Sequence, residues 1–144
     1  MNLTGVLHLL QEAGFPDNSI EFALAQACFE SGSTSFDSAV ALADNNYTGI
    51  SWANAGWQRN ATCGTKMPIA DSPTGHYAHF ATPQDWANDF HRIVHAQFSW
   101  NTEGRPIDAT DIETYVRRLK LNHYFQADEQ IYLNGLKHYL NLIK

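Results

Sequence analysis

Cysteine is scarce in this chain of 144 residues: Cys28 and Cys63 are the only two. Two thiols can pair at most once, so no disulfide framework holds the fold, and free thiols are the expectation. Basic residues are also few. Nine Lys and Arg stand against fifteen Asp and Glu, for a formal net charge of −6. That balance excludes a nucleic-acid binder built on phosphate contacts. No run approaches the roughly 18 apolar residues of a spanning helix, so no membrane insertion is expected. The N-terminus, MNLTGVLHLLQEAG, lacks the basic start and small-residue cleavage site of a signal peptide. There is no internal repeat, no low-complexity tract and no glycine loop of the phosphate-cradling kind.

What the chain has is apolar and aromatic material. Hydrophobic residues make up 44% and aromatics 12%, with four Trp, six Tyr and eight Phe. That is enough for a core and excludes disorder. The length fits one domain, residues 1–144. Charge is uneven: residues 1–91 hold nine acids and two bases, and residues 92–144 hold six acids and seven bases. Ordinary solvated faces account for this.

Hydrophobic spacing predicts a helix over 2–13, with Val6, Leu7, Leu9 and Leu10 as its stripe, stopped by Gly14 and barred by Pro16. Asp17 is the expected N-cap of a second, mostly buried helix that runs to about Glu30. A short helix is expected at 36–43. Residues 44–80 lose helical periodicity, with β-prone runs at 47–52 and 76–80 and a long loop between them. Thr82-Pro83-Gln84-Asp85 opens a helix whose stripe reads Trp86, Phe90, Ile93, Val94 and Phe98. After a turn at 101–106, Asp108 or Thr110 opens another helix to about Leu121, and 127–143 forms the last.

The segment most suggestive of chemistry is Ala25-Gln26-Ala27-Cys28-Phe29-Glu30-Ser31-Gly32-Ser33. It sets an acid at the C-terminal end of an apolar helix. The negative end of the helix dipole and apolar neighbours such as Phe29 both disfavour the carboxylate, so the pKa of Glu30 rises. A carboxyl held protonated near neutral pH is what a general acid needs. A second segment, Asp44-Asn45-Asn46-Tyr47-Thr48-Gly49-Ile50, is by itself a tight turn into a strand.

Taken together, Glu30-Ser31-Gly32 and the Asn45–Ile50 segment about fifteen residues on resemble the glucosaminidase family of the lysozyme superfamily (glycoside hydrolase family 73). Members carry A-x-x-E-S-G followed by N-N-x-x-G-I. Tyr77 to Thr82, with Asp85, Trp86, Asp89 and Phe90, is similar to the family's F-R-x-Y-x-S-x-x-E-S-x-x-D-Y segment. His123-Tyr124-Phe125-Gln126-Ala127-Asp128 with Tyr132 is similar to its closing Y-A-T-D-P-x-Y. The resemblance runs from about Phe22 to Tyr139.

The resemblance implies a mainly α, lysozyme-like (α+β) fold, in which a helical lobe and a small β or irregular lobe at 45–81 enclose a cleft. It implies hydrolysis of β-1,4 bonds in peptidoglycan glycan strands, with Glu30 as general acid and no cofactor. The chain would be made in a bacterial cytoplasm and reach the cell wall after lysis or by another export route. A second carboxylate would come from the small lobe, where Asp71 is the one acid. The family's functional tyrosine falls on Tyr124. Sugar faces would stack on Tyr47, Trp52, Trp57 or Tyr77, and Asn46 would hydrogen-bond an acetamido group or hold its turn. Four histidines, His76, His79, His91 and His95, come close in sequence, but no metallopeptidase Glu lies between the last two, and no metal is expected. Two other readings share the sequence. A lytic transglycosylase would use the same glutamate, and a non-catalytic glycan-binding or virion structural module would keep only the shape.

Overall fold

Polar caps and two glycines cut the chain into its helices. The structure, a computed structural model, describes residues 1–69 and 75–144. Helix α1, Leu3–Ala13, begins where the Asn2 side chain accepts the Gly5 N–H at 2.8 Å. It stops at Gly14, whose φ of 100° suits a residue without Cβ. Helix α2, Ile20–Ser31, stops the same way at Gly32, whose N–H returns to the Cys28 carbonyl at 2.8 Å.

α2 is the axis of the core. Ala23, Ala25, Ala27 and Cys28 are fully buried, and these small side chains let neighbours approach from several directions. The helix starts later than its sequence suggests. Residues 17–19 form a turn, in which Ser19 and Ile20 donate to the Pro16 carbonyl. Ser19, not Asp17, takes the cap position, and its hydroxyl is spent on the Ile107 carbonyl at 2.7 Å. Asn18 joins it by donating to the carbonyls of Ile107 and Ala109. The turn thus serves a long-range contact in place of a helix cap.

The third helix also starts late. α3 is Ala39–Asp44, capped by Ser38, because Phe36 has a φ of 54° and drops into the core against Tyr47. The long loop expected after it contains a strand. β1, Ala61–Pro68, pairs antiparallel with β2, His76–Phe80, through Ala61 and Phe80, Thr62 and His79, and Cys63 and Ala78. The register shifts before Pro68 meets His76. The run at 47–52 is not a strand, yet it lines up beside β2: Ala78 donates to Ile50 and Trp52 donates to His76, each at 2.8 Å. Gly64, Lys66 and Pro68 in β1 hid it from a propensity reading, and the pairing with β2 supplies what propensity lacks.

α4, Pro83–His95, starts as expected, with the Thr82 hydroxyl accepting the Asp85 N–H. Trp86, Phe90 and Val94 are fully buried. Phe98 lies beyond the helix end and is exposed. A 3-10 turn at Pro106–Asp108 leads to α5, Ile112–Leu121, which is capped by Asp111 and neither of the residues expected. α6, Glu129–Ile143, is capped by Asp128.

Helices α1 and α4 pack together, as do α2 with α6 and α5 with α6, while α3 packs on the hairpin. At the α2–α6 crossing a Cβ on Gly135 would run into the Phe29 ring, so the two helices meet with that ring against bare backbone. The architecture is mixed and helix-dominated, with six α-helices and a two-stranded sheet among the described residues. Among them no helix is long and apolar enough to cross a membrane. Cys28 and Cys63 are not bonded to each other; one is buried and one exposed.

Candidate active site

The last turn of α2 points Glu30 at α6. Tyr132, in the first turn of that helix, donates its hydroxyl proton to Glu30 Oε1 at 2.6 Å. The Tyr132 ring cannot wander. Phe125 stacks on its face at 3.9 Å between centroids, and Phe29 meets it edge-on at 5.1 Å. Lys120 fixes the segment that carries Phe125, since its ammonium donates to the carbonyls of Gln126 and Ala127.

By its solvent-accessible surface Glu30 is an exposed residue. Its carboxyl nonetheless has protein packed around it on most sides, as a group on the wall of a recess does. This desolvation pushes the carboxyl up to about 7, although the Tyr132 hydrogen bond favours the charged form and holds the rise back. The group is therefore both reachable and close to half protonated at neutral pH.

One turn before Glu30, the buried Gln26 accepts the Tyr115 hydroxyl at 2.6 Å. Tyr124 reaches the same place from the segment after α5. Burial, then the nearby Glu30 carboxyl, raises the Tyr124 phenol well above its ordinary range, while the side chains of Gln26 and Thr48 at its hydroxyl pull the other way. Tyr115, Tyr124 and Tyr132 thus surround Glu30 with neutral phenols.

These groups open onto a pocket of about 800 Å³. Thr48, Gly49, Ile50, Ser51, Ala53 and Trp57 come from one side, and α2, α4, α6 and the segment after α5 supply the rest. Glu30 is the one acid and Arg92 the one Lys or Arg among the described residues that line it. Most of the wall is apolar. At its edge Phe98 stacks parallel to Trp100 at 4.9 Å, and Trp100 stacks on His123 at 5.2 Å.

The structure brings Glu30 and Tyr124 together in this pocket, and Asp71 lies outside the described residues. Of the five residues expected to hold sugar, four sit elsewhere. Asn46 spends its amide on its own turn: Nδ2 donates to the carbonyls of Ile50 and Ala78, and Oδ1 accepts the Ile50 N–H. Tyr47 is core, wedged between Phe36 and Trp86. Trp52 and Tyr77 lie along the hairpin and do not line the pocket. Trp57 does line it. The four histidines separate. His91 and His95 stack on α4, and His79 Nδ1 lies 2.9 Å from Asp44 Oδ1. Among the described residues no three His, Cys, Asp or Glu side chains are placed to hold a metal ion.

Arg92 escaped a reading of the sequence, and Tyr132 entered it only as a position of the closing motif, with no role. Tyr132 stands in the segment that carries Tyr124, but as one apolar position of an amphipathic helix it looks like core. Arg92 looks like a solvated helix charge. Only the fold turns each toward Glu30's pocket.

No protein-family model matches the chain, and neither the curated proteins nor the solved structures compared with it give a match.

Proposed function

We propose that this chain hydrolyses β-1,4 glycosidic bonds in peptidoglycan glycan strands, with Glu30 as the general acid. The observation that carries the reading is the state of Glu30: a carboxyl raised to about 7, held by a neutral phenol, at the wall of a pocket wide enough for sugar rings. The segments that resemble the glucosaminidases include Glu30, Thr48–Ile50, Tyr124 and Tyr132, and these residues meet at that pocket. In this reading the fold is lysozyme-like. The helices form one lobe, the 45–81 region forms the other, and the pocket is the cleft between them.

Glu30 gives its proton to the glycosidic oxygen as the bond to the anomeric carbon breaks. The positive charge that develops at that carbon is met by water, or first by the acetamido oxygen of the same sugar. Water then adds, and its proton returns to Glu30. Tyr124 orients the water or the acetamido group with its hydroxyl. Trp57 and Phe98 supply apolar faces for the rings.

Glu30 is the one acid among the described lining residues, and this favours a second reading, a lytic transglycosylase. There the sugar's own 6-hydroxyl takes the place of water and a 1,6-anhydro product results. Mass spectrometry of digested purified peptidoglycan separates the two, because the anhydro sugar is lighter by one water. Absence of any new fragment from a folded protein would overturn both.

A further inference from the structure

Arg92 is the feature of the pocket that acid catalysis leaves unused. Its guanidinium Nη1 donates to Asp89, one helical turn earlier on α4. Asp89 is fully buried and also accepts the Asn60 backbone N–H at 3.3 Å and the Asn60 side-chain amide at 3.4 Å. The carboxylate is thereby tied to the chain ahead of β1, and it fixes the arginine in turn. About a third of the Arg92 side chain, 32%, stays exposed, and the residue lines the pocket. Among the described residues no other acceptor takes its remaining N–H groups.

A guanidinium is a planar fork with donors along two edges. Here Nη1 is committed to Asp89 Oδ1, and the other donors are left for a ligand. That bond restrains the arginine, so it loses less side-chain freedom when its remaining donors take a ligand. The ligand chemistry that matches a fixed fork in a largely apolar pocket is a carboxylate or another planar oxyanion. Neutral sugar rings have no use for such a group. Peptidoglycan strands carry peptide substituents with free carboxylates on alternate sugars.

We infer that Arg92, oriented by Asp89, forms a carboxylate-binding subsite that reads the anionic peptide substituent of the glycan strand. This rests on the hydrolase reading for the identity of the substrate. The subsite determines specificity and takes no part in bond breaking.

The test measures binding to a disaccharide-peptide fragment of peptidoglycan and to the same fragment with its carboxylates converted to amides. Trp57 lines the pocket, so tryptophan fluorescence reports occupancy. A Glu30→Gln background prevents turnover. The acidic fragment should bind at least about tenfold tighter than the amidated one, as expected for a charge-assisted hydrogen-bonded pair. Arg92→Gln alone strands the Asp89 carboxylate, so the main variant is Asp89→Asn with Arg92→Gln, which removes both charges. It should bind the two fragments alike. Arg92→Lys keeps a cation for Asp89 but loses the fork, and it should also lose most of the preference. Equal binding of the two fragments by the parent, or a preference retained in the folded variants, would overturn the subsite.

Cleavage of purified walls and of an N-acetylglucosamine tetramer by the unmutated protein is measured beside this. Cleavage without a carboxylate preference defeats the subsite and leaves the hydrolase reading standing. A preference that the variants abolish, in a protein that cuts neither polymer, supports the subsite and defeats the hydrolase reading.

Discussion

The end of α2 and the middle of α4 each place an acid at or behind the wall of one pocket, and they treat it in opposite ways. Glu30 is given a neutral partner, the Tyr132 hydroxyl, and apolar surroundings. Desolvation then dominates, and the carboxyl retains its proton to about pH 7. Asp89 is given a guanidinium and the two Asn60 donors. Its charge is matched at once, and it becomes an anchor. The comparison teaches that the partner of a carboxyl matters as much as its surroundings. A carboxyl set beside a neutral phenol in apolar surroundings is pushed up, whereas one bound by a guanidinium and two amide donors ties α4 to the chain ahead of β1.

The largest expected effect breaks the first half of that contrast. Glu30→Gln keeps the shape and the Tyr132 contact but removes the transferable proton. Wall hydrolysis should fall at least about a hundredfold, the low end for general acid catalysis. Circular dichroism should be unchanged. A folded variant that keeps most of its activity would show that Glu30 is not the acid.

Gly135→Ala tests the packing that aims Glu30. Alanine in a helix interior normally gains about 1 kcal/mol over glycine. At this crossing the new methyl meets the Phe29 ring, which would have to swing away from the edge of Tyr132. Overpacking of this kind costs about 1–3 kcal/mol, so a net loss of up to about 2 kcal/mol is expected in denaturant unfolding, with reduced turnover. A more stable Gly135→Ala protein would mean that the α2–α6 contact does not constrain the site.

Tyr124→Phe asks whether the ring of phenols does more than exclude water. Loss of the hydroxyl should lower turnover at least roughly tenfold, about 1.4 kcal/mol of transition-state stabilisation, with little change in melting temperature. Asp71→Asn should cost less. The reverse order, measured on folded proteins, would restore a two-carboxylate mechanism.

Much of this was legible in the sequence, and the boundary has physical causes. Caps are local chemistry, so Thr82 and Pro83 placed α4 correctly, and Gly14 and Gly32 marked two helix ends. Glu30 was readable because helix end, apolar neighbours and motif all fall within nine residues of chain. β1 was not, since its pairing with β2 is a tertiary matter. Asn46 was half readable: its residue type fits a turn or a ligand equally well, and only the three bonds that occupy its amide decide for the turn. Arg92 and the role of Tyr132 were hidden because an amphipathic pattern says which face of a helix is covered, and not what stands opposite that face.

The smallest expected effect is on stability, and it follows from the same carboxyl. Glu30 titrates near its ordinary 4.5 when unfolded and at about 7 when folded. Between those values the folded chain holds a proton that the unfolded chain has lost. Stability contributed by the neutral carboxyl is therefore complete below about pH 4.5 and declines as pH rises through 7. Because Glu30 keeps contact with solvent, the decline should be well short of what a fully enclosed group would give. Gln has no proton to lose, so Glu30→Gln should lack this component while every other titrating group stays common to both proteins. Denaturant unfolding of the two proteins at pH 5 and pH 8 isolates it. The variant should gain on the parent as pH rises, so that losing the titratable carboxyl makes the protein relatively more stable in alkali. Parallel stability curves would mean that folding leaves the Glu30 carboxyl where the unfolded chain has it, and the contrast with Asp89 would then lose its basis.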